Sequence, residues 1–69
     1  MKQTKIDEIK KVRDGFLNAY PRWRKGQALF NAIYYVDPEI ANKIRGSNID
    51  PFHIDDNIEP CMKFLEEQE

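Results

Sequence analysis

Sixty-nine residues suffice for one hydrophobic core and no more, so multidomain enzymes are excluded and the chain is read as a single domain, 1–69. With 41% hydrophobic and 33% charged residues and a formal net charge of -1, the composition is that of a folding globular chain and excludes a disordered tail. Cys61 is the one cysteine, which rules out an internal disulfide and suits a reducing compartment; four Phe, three Tyr and one Trp must supply the burial that no bridge supplies.

The opening MKQTKIDEIKK lacks the continuous apolar run of a signal peptide, and no stretch approaches the ~20 apolar residues of a membrane span, so a cytoplasmic protein without membrane association is expected. Thr4, with Asp7 three residues on, is a loose capping box. It opens a segment whose Ile6, Ile9, Val12, Phe16, Leu17 and Tyr20 fall on one helical arc. Gly15 lies on the polar side, and Pro21 ends or kinks the helix. The run from Gly26 to Val36, GQALFNAIYYV, is the most apolar part of the chain. Ile33 to Val36 would suit a strand, but Gln27, Asn31 and Tyr35 recur every four residues, which makes one narrow polar stripe on a helix and no alternation on a strand.

Asp37-Pro38 predicts a third helix with Asp37 as its cap and Pro38 at its first position. Its inward face is Ile40, Ala41 and Ile44, and Gly46 fits the left-handed position after its end. A turn at Asp50-Pro51 follows, with Ile49, Phe52 and Ile54 as anchors for the loop. Asp56 and Glu59 repeat the capping-box spacing before Ile58, Cys61, Met62 and Leu65 at helical spacing, and Pro60 is tolerated in the first turn. The elements predict an all-α fold, a small bundle of about four helices over 4–20, 24–36, 38–45 and 57–67 with an ordered loop over 47–56. Phe16, Trp23, Leu29, Phe30, Ile33, Ile44, Phe52 and Leu65 are expected in one core.

Charge is divided along the chain. Residues 1–25 hold eight basic and three acidic side chains; residues 26–69 hold three basic and nine acidic. Such a split either marks a surface for a partner or joins two halves that neutralise each other on folding. Arg22, Trp23, Arg24 and Lys25 set three cations and an indole beside a helix N-terminus, a combination that holds phosphates and stacks on a base; the alternative makes Trp23 a core anchor with solvated cations.

Asp50, His53, Asp55, Asp56 and Glu59 invite a metal reading that their spacing does not support. A calcium loop wants alternating oxygen ligands and a glycine at the sharp turn, and zinc wants more sulfur or imidazole than His53 and Cys61 supply. Cys61 lies on the apolar stripe of its helix, where a thiol is a small hydrophobe and not a nucleophile for His53 to activate. No glycine-rich phosphate loop and no serine-histidine-acid set is identifiable. No enzyme, metal or cofactor is therefore expected. Asp50, His53, Asp55 and Asp56 are instead expected to face outward from a rigid loop toward a cationic partner groove. The stripe Gln27, Asn31 and Tyr35 either finds partners inside the bundle or marks an uncovered edge open to solvent or another protein.

Residues 22–65 resemble a group of short, uncharacterised proteins of bacteria and especially of their phages and prophages. The residues that carry the likeness are Gly26, Gln27, Asn31, Pro38, Ile44, Arg45, Gly46, Asp50, Pro51, Phe52, Asp55 and Asp56. His53 stands where that pattern has an aromatic residue, most often Tyr, which weakens any histidine-based chemistry. The resemblance implies a compact phage accessory protein that binds a host or defence protein, with inhibition of host defence as one form of such action. A small nucleic-acid-associated protein using the basic N-terminal third is the alternative, and a homo-oligomer stays open.

Overall fold

The computed structural model describes residues 1–68. Among them the chain forms four α-helices, α1 (Gln3–Ala19), α2 (Lys25–Val36), α3 (Pro38–Ile44) and α4 (Ile58–Glu67), with a 3₁₀ turn over Asp55–Asn57 and no strand. The all-α bundle read from periodicity is the fold, and each predicted boundary lies within one residue of the observed one.

Asp37 ends α2 and caps α3 at once: its backbone N–H donates to the Ile33 carbonyl at 2.7 Å, and its carboxylate accepts the Ile40 N–H at 3.2 Å. Pro38 follows at the first position of α3, and Gly46 takes φ 75° just beyond its end, where a side chain would be strained. The two expected capping boxes do not form. Thr4 is already inside α1, which starts from Lys2 without a side-chain cap, and Asp7 accepts instead from Gln3 Nε2 at 2.9 Å. Asp56 lies inside the 3₁₀ turn. That turn leads into α4 through backbone bonds, with the Asn57 N–H on the Ile54 carbonyl at 3.0 Å, so no side-chain cap is made at Asn57.

α2 is the central element, packed against α1, α3, α4 and the 3₁₀ turn. The core joins Ile9 of α1, Leu29, Phe30, Ala32 and Ile33 of α2, Ala41 and Ile44 of α3, and Cys61 and Leu65 of α4. Fully buried Ala32 and Ala41 carry no bulk that would hold neighbouring helices apart. Of the expected core, Leu29, Phe30, Ile33, Ile44 and Leu65 are buried, and Phe16 and Phe52 pack half-buried at its edge. Trp23 is a correction: the turn after Pro21 carries it to the rim, where its ring stacks on Tyr20 at 4.4 Å and leans on Phe16 at 5.6 Å. Tyr20 also leaves the inward arc of α1 and is 49% exposed.

The two charge halves meet inside the domain. Lys5 Nζ lies 2.8 Å from Asp37 Oδ2, and Arg24 Nε lies 4.0 Å from Asp55 Oδ1. Part of the polarity along the sequence is therefore neutralised on folding.

Candidate interaction site

The loop over 47–56 is ordered by its own acids. Asp50 accepts the Gly46 N–H at 2.8 Å and the Phe52 N–H at 2.9 Å on its two carboxylate oxygens, and its carbonyl accepts from the Asn57 side-chain amide at 2.9 Å. One residue thus ties the end of α3, the turn and the start of α4. Asp55 accepts the Gly26 N–H at 3.1 Å in the first turn of α2 and sits beside Arg24, whose Nη2 donates to the Phe52 carbonyl at 2.7 Å.

These contacts correct the expected outward face at Asp50, which is half-buried and turned into the loop. Asp50 spends both carboxylate oxygens on backbone N–H groups of the loop, and Asp55, still exposed, gives one oxygen to the N-terminus of α2. His53, Asp55 and Asp56 are exposed, with His53 set edge-on to Phe52 at 4.7 Å. The basic run is divided likewise. Arg22 and Lys25 point to solvent, whereas Arg24 is committed to the loop.

The stripe on α2 lies at an uncovered edge. Gln27 and Asn31 are half-buried, Tyr35 is 71% exposed, and among the described residues no buried side-chain polar atom lacks a partner. On one side of this stripe an aromatic strip crosses the seam with α1: Tyr35 meets Phe16 at 6.3 Å, Phe16 meets Trp23, and Trp23 stacks on Tyr20. On the other side Phe30, Asn31, Tyr34, Arg45, Asp50, Phe52 and His53 line a cleft of about 410 Å³. The Arg45 guanidinium lies 5.6 Å from the Phe30 ring centroid and 5.5 Å from that of Tyr34. Phe30 meets Phe52 edge-on at 5.7 Å, which closes the apolar floor.

Sequence reasoning placed Asn31 and Tyr35 on this face but missed Tyr34, Arg45 and Phe52 as its neighbours. Phe30 and Tyr34 are four residues apart on one helix, so their proximity was legible. Their meeting with Arg45 and Phe52 depends on how α3 and the loop return to α2.

Cys61 and His53 do not form a nucleophilic pair. Cys61 is fully buried, and burial, with a smaller contribution from the Asp50 charge, pushes its thiol up to about 12. Among the described residues no three histidine, cysteine or acidic side chains come together as a metal site, and no helix is long and apolar enough to cross a membrane.

No protein-family model matches the chain, and neither the curated proteins nor the solved structures contain a match to it.

Proposed function

We propose that this domain is a non-catalytic interaction protein, a phage-type accessory protein that binds and modulates a host or defence protein through the uncovered side of α2. The observation that carries this reading is the distribution of its aromatic residues. All three tyrosines are exposed, Tyr20 at 49%, Tyr34 at 47% and Tyr35 at 71%, and Trp23 is half-buried beside them. A chain of 69 residues has little core to spare, so large rings left at the surface forgo burial that would stabilise the fold. Tyrosine, tryptophan and arginine are the residue types that dominate the energetics of protein interfaces, and here they flank one helix edge.

The test is capture from host lysate on the immobilised protein, read by mass spectrometry and repeated with Tyr34→Ser/Tyr35→Ser and with Lys10→Glu/Lys11→Glu on the opposite face of α1. A specific partner is retained by the wild type and the lysine variant and is lost at least about tenfold by the tyrosine variant. Equal retention by all three overturns the assignment to α2.

The nucleic-acid alternative draws on Arg22 and Lys25, both exposed beside the Tyr20 and Trp23 stack. With Arg24 held by the Phe52 carbonyl, the phosphate-binding run is reduced to two free cations. Tight, salt-sensitive binding of single-stranded DNA at physiological ionic strength would make this alternative the better reading.

A further inference from the structure

The geometry points to the cleft beside α2 as a receptor for a peptide carboxylate: an aspartate or glutamate of a partner segment, next to a large apolar residue, paired with Arg45. This inference rests on the uncovered side of α2 being the partner surface and names the chemistry that one part of it recognises.

Arg45 is the C-cap residue of α3, and its guanidinium lies over two neighbouring rings of α2, with centroids at 5.6 Å for Phe30 and 5.5 Å for Tyr34. These cation–π contacts favour the group's position over the rings, which reduces the ordering that binding must impose. Its N–H edge is not used: among the described residues Arg45 makes no ion pair, and its side chain donates to no acceptor. Asp50 is the acid that lines the cleft; its oxygens accept the Gly46 and Phe52 N–H groups and form no ion pair with Arg45. A cation whose donors meet no acceptor among the described residues is thus displayed beside an apolar floor of Phe30 and Phe52, with the Asn31 amide as a further polar group.

The complement is planar and anionic, since the guanidinium fork matches a carboxylate with two parallel hydrogen bonds. A phosphate would also match the fork. The Asp50 carboxylate in the same cleft, however, repels a dianion more than a monoanion, which favours the carboxylate. The volume of about 410 Å³ exceeds what one carboxylate fills, so an adjoining apolar side chain seats on the rings.

The experiment is an NMR titration of the ¹⁵N-labelled full chain with acetyl-Phe-Glu-amide and, in parallel, with acetyl-Phe-Gln-amide. The glutamate peptide is expected to shift the Arg45 Nε–H and the Asn31 side-chain amide and to bind about tenfold more tightly than its neutral isostere. Added salt should narrow that gap. Arg45→Gln, checked for folding by thermal melting, should abolish the preference, and Arg45→Lys should restore only part of it. Equal affinities for the two peptides on the wild-type chain overturn the proposal whatever the variants do. Stronger binding of inorganic phosphate than of the glutamate peptide at the same resonances also overturns it, in favour of a phosphate site. If the peptides fail while Tyr34→Ser/Tyr35→Ser still loses a captured partner, the carboxylate assignment falls and the partner surface stands.

Discussion

The Asp55 carboxylate accepts the backbone N–H of Gly26 across 29 residues of sequence. The residue before α2, Arg24, has no side-chain acceptor to offer and makes no cap, so the helix takes its acceptor from the loop that leads into α4. The anion also lies at the positive end of the helix. Because the loop must come this close, the position it reaches has to be a glycine: a Cβ on Gly26 would collide with the Pro51 carbonyl oxygen and lie 2.9 Å from Asp55 Oδ1.

Gly26→Ala is therefore expected to destabilise the domain by about 1–3 kcal/mol, because the clash with backbone outweighs the helix propensity gained. Gly15→Ala meets open space on an exposed stretch of α1 and is expected to stabilise by up to about 1 kcal/mol. Urea denaturation of the two variants measures both signs. A stable Gly26→Ala protein would mean that the loop does not lie against α2.

Asp55 and Asp56 are neighbours with different consequences. Asp55→Lys removes the tertiary cap and sets a cation beside Arg24, and it is expected to destabilise by at least about 1 kcal/mol. Asp56→Lys alters an exposed side chain and should stay within about 0.5 kcal/mol. Paired denaturation midpoints check the contrast, and equal effects would remove the capping role of Asp55.

Asp37 ties stability to acid. The hydrogen bond from Lys5 holds its carboxyl below the ordinary aspartate value of 3.8, burial opposes this, and the Ile40 N–H adds to the lowering. A carboxylate with a folded value below its unfolded one contributes stability that is fully present above 3.8 and is lost as pH falls through the lower folded value. Asp37→Asn retains an oxygen for the cap but loses the charge. It should therefore cost about 1 kcal/mol at neutral pH, with the difference from wild type closing in acid below 3.8. Thermal melts across that range give the answer, and a difference independent of pH would contradict the linkage.

Cys61 offers a probe of opening. With its thiol fully buried and raised to about 12, reaction with a disulfide reagent at pH 8 requires the chain to expose α4. The rate should rise with urea in step with unfolding and reach that of a free thiol in the unfolded chain. Reaction in native buffer at the unfolded rate would place the thiol at the surface.

The sequence by itself determined the number, order and limits of the helices. Ile6 and Ile9, the Gln27, Asn31 and Tyr35 stripe, Asp37-Pro38 and Gly46 act through neighbours three or four residues away, or through the dihedral needs of one residue, and such signals are local. Only the tertiary structure decided which way the polar groups turned. Asp55 became a cap because an open helix end approached it, Asp50 became the tie of the loop, and Trp23, in the turn between α1 and α2, stacks on Tyr20 at the rim. Arg45, at the end of α3, lies against Phe30 and Tyr34 of another helix. Hydrogen bonds and cation–π contacts between elements depend on where the packed helices bring each side chain, and no spacing along the chain encodes that meeting.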